Sequence, residues 1–274
     1  MDKFTNKNNT CAPHINKKSK TCFSRKSLLK IGKSLNLLNK NNKNMKTNTL
    51  WNLIRVKLAN KCNNDETCWL DNISTIKKLN DAEIHLFTFK PKLPKEWKIN
   101  KYEWLDNTNI YKVMIQAEKV YKDFVFFGPV PSDCPTSIKC ELSGLNFKEL
   151  KKKKIHKLGI VFNFDISTGP GSHWVGLYID IPNGEIDYFD SYGGRPIKLI
   201  NTFIQDLAAK ISKIGIEPKI VYNDKRHQYG HSECGMYSIY FILKRLTGST
   251  MHELAKNKIT DKKMNDLRNI LYRE

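Results

Sequence analysis

The stretch LGIVFNFDISTGPGSHWVGLYIDIPNGEIDYFDSYGG, residues 158–194, decides how this chain is read. Leu158 to Phe164 is a near-continuous apolar run, Trp174 to Ile181 is a second and Ile186 to Phe189 a third. Short runs of this kind, bounded by turn residues, predict strands. Pro182-Asn183-Gly184 predicts a tight turn that joins the last two as a hairpin. A hairpin sets the start of its first strand beside the end of its second, so His173, at the mouth of the Trp174 strand, and Asp190, closing the next, become neighbours.

Working outward, Ile197 to Ile214 predicts a helix, Pro218 to Tyr222 a strand, and Asp261 to Leu271 a last helix. From Cys234 to Leu246, Met236, Ile239, Tyr240, Leu243 and Leu246 fall at helical spacing. On the N-terminal side Phe124 to Val130 reads as a strand. Ile110, Val113, Met114, Ala117 and Tyr121 mark a helix for which Asp106 or Thr108 is the cap. Ile84 to Trp97, with Pro91 and Pro94, predicts an extended crossing piece. Lys151 to Lys154 reads as a solvated basic face. Earlier still, helices are predicted over Ser24 to Leu38 and Thr49 to Asn60, with a third apolar set from Trp69 to Leu79. Residues 1–20 and the Asn/Lys-rich segment 39–48 predict disorder and a linker. Strands grouped in the middle with helices segregated around them imply an α+β fold, a central mostly antiparallel sheet flanked by helices. A small helical N-terminal domain is assigned to 1–82 and the main domain to 83–274. No internal repeat is present.

A chain of 274 residues suits one large domain, or a catalytic domain with an appendage. Its 47 Lys and Arg against 27 Asp and Glu leave a formal net charge of +20, a surface suited to polyanions such as nucleic acid. The Lys and Asn excess is equally the mark of an AT-rich genome. No apolar stretch is long enough to span a bilayer and no signal-peptide run opens the chain, which predicts an intracellular protein without membrane contact. Seven cysteines, an odd count without a secretory signal, predict reduced thiols. Cys11, His14 and Cys22, and the pairs Cys62/Cys68 and Cys134/Cys140, lack the CxxC spacing of zinc sites, so neither metal nor other cofactor is expected.

Cys234 would open a helix, where unpaired N–H groups and the positive end of the dipole favour a thiolate. Taken alone, it is as much a buried packing residue as a nucleophile. A thiolate nucleophile needs an imidazole as base and proton shuttle, and the imidazole an acceptor that fixes its tautomer; His173 and Asp190 supply the two. His227 and His231 are rival bases near Cys234 in sequence, but without an acidic partner in the pattern. Gln228 and the Cys234 backbone N–H are candidate oxyanion donors, and Gly235 allows another segment to approach closely.

The order His173-Trp174, then Phe189-Asp190-Ser191 with Gly193, then Arg226-His227-Gln228 and Glu233-Cys234-Gly235 with Tyr237-Ser238, resembles the ubiquitin-like-protein-specific (SUMO) proteases and the adenovirus-type proteases. Phe164-Asp165 and Ser167-Thr168-Gly169 match as well. The similarity is strongest to the viral branch containing the African swine fever virus polyprotein-processing protease. It covers about residues 100 to 250, with the N-terminal unit matching the viral branch alone. The resemblance implies a cysteine endopeptidase of a large DNA virus, cutting structural polyproteins after Gly-Gly or Gly-Xaa sites during particle assembly, in host cytoplasm and virion. Cys234 would be nucleophile, His173 base and acid, Asp190 orienter and Gln228 oxyanion donor. Trp174 and Trp104 would form a narrow aromatic channel that admits residues without side chains, although both also suit core packing. Two alternatives stand beside this: an isopeptidase removing ubiquitin-like proteins, and a basic nucleic-acid-binding virion protein with an idle triad.

Overall fold

A computed structural model describes residues 1–274 except 1–3, 5–9, 17, 40–43 and 138. The disorder expected over 1–20 and the linker over 39–48 fall partly outside the described residues. The chain forms two compact units: Asn8–Pro91 with Arg273, and Lys92–Tyr272 with Met1–Lys7 and Glu274.

The N-terminal unit contains α1 (Arg25–Ser34), α2 (Thr47–Cys62), α3 (Glu66–Asn72), α4 (Ser74–Lys77) and α5 (Ala82–Phe87). Ser24, Asp65 and Asp81 cap α1, α3 and α5 through side-chain oxygens that accept first-turn N–H bonds. Leu28, Ile31, Leu50, Ile54 and Trp69 form its core, with Phe23 stacked on Trp69. Ile84 to Phe87 is helical where an extended piece is expected, because Asp81 supplies a cap and Ile84 an anchor in that core. Ile84 and Phe89 both bury there, so the unit runs to Pro91 rather than ending at 82.

The cysteines depart from the expectation of reduced thiols. Cys11–Cys22, Cys62–Cys68 and Cys134–Cys140 are disulfides, with Cα separations of 5.2, 5.5 and 5.4 Å that suit the bond. Partners lie only 11, 6 and 6 residues apart, so local turns bring the thiols together. Cys234, buried, is the free cysteine.

The larger unit continues with α6 (Asn107–Val120), β1 (Phe124–Pro131), α7 (Phe147–Lys152), β2 (Lys157–Asn163), β3 (Trp174–Asp180), β4 (Glu185–Phe189), α8 (Lys198–Ser212), β5 (Lys219–Tyr222), α9 (Cys234–Leu246), α10 (Met251–Lys256) and α11 (Asp261–Leu271). The sheet order is β1-β2-β3-β4-β5. The expected antiparallel core is β2-β3-β4; the outer ladders, β1 with β2 and β4 with β5, are parallel. A parallel neighbour needs a crossover, and α8 carries the chain from β4 back to start β5.

Every residue of β3 is buried because both faces of the sheet are covered. Val175, Leu177 and Ile179 meet Phe203, Ile204 and Leu207 of α8 on one face; Trp174 and Tyr178 join α9 and α6 on the other. Gly176 makes the second packing possible: a Cβ there would stand 2.7 Å from Phe241 of α9. That contact seats α9 against β3 and fixes where the helix, and so Cys234, begins. Among the described residues no helix is long and apolar enough to cross a membrane.

Candidate active site

The β3–β4 register, Gly176 opposite Phe189, carries the outgoing chains so that His173 and Asp190 meet. His173 Nε2 is 2.7 Å from Asp190 Oδ1, with both side chains almost fully buried. The backbone N–H of Tyr192 also donates to Asp190 Oδ1, at 2.9 Å. With Nε2 occupied, Nδ1 is the ring nitrogen left to serve the Cys234 sulfur, which also acts on the charge of the ring. Burial disfavours charge on this imidazole. The hydrogen bond to Asp190, the neighbouring Cys234 sulfur and the charge of Asp190 prevail, and its pKa is raised to about 9. Such a ring is an imidazolium at neutral pH.

Two loops hold this ring. Asn163 Oδ1 accepts from the N–H groups of Asp165 and Ser172, and Asp165 Oδ2 from that of Gly171, so the segment ahead of His173 is fixed by side chains. Tyr192 stacks on the imidazole at 4.9 Å and 22°, and Phe164 meets it edge-on.

Cys234 is the first residue of α9, whose opening N–H groups lack intrahelical acceptors. Gly235 behind it takes the close approach expected: a Cβ would lie 3.1 Å from Leu105 and 3.4 Å from Trp174. Gln228 is fully buried; its Oε1 accepts from Ser191 Oγ at 2.7 Å, and its Nε2 donates to the Gly230 carbonyl at 3.1 Å and to Tyr192 Oη at 3.4 Å. The chain is drawn to this corner because the His227 and Gln228 N–H groups both donate to the Ser191 carbonyl.

The rival histidines lie elsewhere. His227 is buried between Phe189 and Tyr237, its Nδ1 accepts from the Ile259 N–H, and burial, aided by Lys258, lowers its pKa. It is a neutral core histidine. His231 is exposed.

Trp174 and Trp104 flank a groove of about 710 Å³ together with Trp97, Asp165 and Gly171. Trp174 is buried, and its indole N–H donates to the Leu105 carbonyl at 2.9 Å; Trp104 is 41% exposed. Trp174 is thus packed in the core and also lines this groove. Asp106, not Thr108, caps α6 and so turns Trp104 and Leu105 toward the groove.

The sequence singled out Ser191 only as part of a motif and gave Tyr192, Asn223 and Arg268 no role. Asn223 Nδ2 donates to the Asp190 carbonyl at 2.8 Å. Arg268, buried against Trp97, donates to the carbonyls of Ser232 and Glu103 and so ties together the segments leading to Cys234 and Trp104. Nothing local distinguishes an arginine inside an amphipathic C-terminal helix. Among the described residues no group of three or more His, Cys, Asp and Glu is arranged to hold a metal ion.

An assembled cysteine–imidazolium–carboxylate set can carry out acyl transfer. Comparison with known proteins agrees. Residues 145–274 match the model of the Ulp1 protease family, C-terminal catalytic domain. A protein of Acanthamoeba polyphaga mimivirus, named as a thiol protease, is 31% identical over 287 residues, spanning 97% of this chain and 93% of that protein. A cysteine protease of African swine fever virus is 33% identical over 125 residues, 44% of this chain and 46% of that one. The crystal structure of the selenomethionine form of an African swine fever virus protease superposes with a TM-score of 0.71 at 23% identity, covering 97% of this chain and 96% of that one, which shows a shared fold. With similarity spanning nearly all of a viral thiol protease, and with the catalytic-domain model over its C-terminal part, this chain belongs to the Ulp1 family of cysteine proteases.

Proposed function

We propose that this cysteine protease is an endopeptidase that cuts viral polyproteins after Gly-Gly or Gly-Xaa sequences during particle assembly, in host cytoplasm and virion. In this reading the Cys234 thiolate attacks the glycine carbonyl carbon. The oxyanion is met by the Cys234 N–H, joined by the Gln228 amide once substrate displaces its long 3.4 Å bond to Tyr192 Oη, and His173 passes its proton to the leaving amine. Water then attacks the thioester, giving its proton to His173 and releasing the acid and Cys234. Asp190 holds the imidazole throughout.

The observation that supports this reading is the groove pinned by the Trp174 to Leu105 hydrogen bond: Cys234 does not line it, but two of its lining residues, Leu105 and Trp174, pack against Gly235, the next residue in the chain. Two aromatic walls on the way to Cys234 favour a chain without bulky side chains. The net charge of +20 favours a second, separable property, salt-sensitive binding of nucleic acid.

The test offers the purified chain a polyprotein with exposed Gly-Gly linkers beside a folded ubiquitin-like modifier in isopeptide linkage. A peptide electrophile ending in Gly-Gly serves as active-site label. Cutting of the linkers, with labelling of Cys234 that requires His173, is the expected result. Cutting of the modifier alone transfers the function to deconjugation. Cys234 labelling no faster than that of a denatured thiol overturns the peptidase reading. Nucleic-acid binding should survive in Cys234→Ser.

A further inference from the structure

Beyond the aromatic groove, the structure carries a second, differently charged flank of the site. Arg226 is exposed but held in place: its Nε donates to the Gln228 carbonyl at 2.8 Å, and its guanidinium lies 5.2 Å from the Tyr192 ring and 4.8 Å from the Tyr229 ring. Tyr192, in turn, stacks on His173 and donates its hydroxyl to the Gly230 carbonyl at 3.0 Å. Lys258 adds a second cation, its Nζ 2.6 Å from Tyr229 Oη.

The nearby carboxylates are spoken for. Asp190 serves His173 and the Tyr192 N–H; Asp261 accepts from the Tyr229 and Gly230 N–H groups and from Tyr237 Oη; Asp224 faces Lys225. Among the described residues Arg226 enters no salt bridge. Its position is therefore set by a carbonyl and two rings, which leaves its outer nitrogens for a ligand. None of Tyr192, Arg226 and Tyr229 lines the tryptophan groove.

Chain direction follows from the chemistry of the proposed cleavage, on which this inference rests. The leaving amine must lie at the imidazole that protonates it. The polypeptide beyond the scissile bond therefore starts at His173, and a course from there that leaves the tryptophan groove passes over Tyr192, stacked on His173, to Arg226. The separation from His173 is no more than two successive ring contacts, roughly two to three extended residues. We propose that Arg226, clamped between Tyr192 and Tyr229, receives an acidic side chain roughly two to three residues past the scissile bond. The enzyme thus selects substrates on both sides of the cut: small residues before it by shape, a carboxylate after it by charge.

The experiment uses three internally quenched peptides, identical through Gly-Gly and differing only in Glu, Gln or Lys at the second and third positions after it. The parent chain is expected to cut the Glu peptide about fivefold faster than Gln in kcat/KM, near the upper range for exposed ion pairs, and the gap should narrow in higher salt. Arg226→Gln should flatten the series and Arg226→Glu should invert it in favour of Lys. The Gly-Gly electrophile, which has nothing after the reactive carbon, checks that each variant retains an assembled site. Equal rates for the three peptides with the parent chain, or an order unchanged in a labelled Arg226→Glu, overturns the role of Arg226 and leaves the peptidase reading intact. Failure of the parent to cut any of them overturns both.

Discussion

Replacing Asp190 by alanine tests the coupling between the buried carboxylate and the imidazole. In the folded protein His173 is raised to about 9 against burial that favours its neutral form. Without Asp190, burial faces only the contribution of Cys234. A fall to about 6.5 would leave roughly a tenth of the rings protonated at pH 7.5, a tenfold loss of the reactive pair. The ring also loses the acceptor 2.7 Å away that fixes its orientation, which adds a further factor of about 10 to 100. The expected loss in kcat/KM is therefore about 10² to 10³. Asp190→Asn, which keeps an acceptor but no charge, should lose at least about tenfold, and more where its amide turns an N–H toward the ring and imposes the wrong tautomer. The assay is cleavage of a Gly-Gly peptide from pH 5 to 10, paired with the pH profile of labelling by the Gly-Gly electrophile. The basic limb, near pH 9 in the parent, should move down by about two and a half pH units in Asp190→Ala. Because the folded pKa lies above the unfolded one, this pair stabilises the fold fully below about pH 6.5, and its contribution disappears as pH rises through 9. Asp190→Ala within about threefold of the parent, with its basic limb unmoved, would refute the reasoning.

Gly235→Ala places a methyl 3.1 Å from Leu105 and 3.4 Å from Trp174, so melting should show a loss of about 1 to 3 kcal/mol, with turnover reduced as the groove wall shifts. A variant with parental rates and Tm would mean the helix start can retreat freely. Trp174→Phe keeps an aromatic wall but gives up the bond to the Leu105 carbonyl; about 1 kcal/mol of stability should go, and discrimination between Gly and Ala before the cut should weaken when the two peptides compete. Unchanged discrimination would place the selection for glycine elsewhere. The cysteines make a direct prediction: alkylation of the denatured, unreduced chain should modify Cys234 alone, and alkylation after reduction all seven, as read by intact mass. Seven modifications without reductant would return the other six to free thiols.

Much of the site was legible because its parts are local or hairpin-linked. Alternating turns and apolar runs from 158 to 189 specify the β2-β3-β4 meander, and a hairpin brings its two ends together whatever the rest does, so His173 and Asp190 could be paired on paper. Helical spacing after Cys234 placed the sulfur at a helix start by the same local logic. The parallel edge strands escaped, since a crossover's direction depends on where α8 lies and not on the composition of β5. The boundary past 82 escaped because one aspartate cap and two buried side chains outweighed a pair of prolines.

By itself, then, the sequence determined the strand and helix periods, the pairing of His173 with Asp190, the place of Cys234 at a helix start, and the excess of positive charge, all of which follow from residue type and short-range spacing. Only the tertiary structure decided that six cysteines pair, that His227 is a neutral core residue, and that Arg268 ties the Ser232 and Glu103 carbonyls across the site. It also decided that Arg226 stands clamped between two tyrosines. The physical reason is range. A period or a turn is fixed by neighbours a few residues away, whereas a buried charge or an unpaired guanidinium is defined by whatever distant segments close around it.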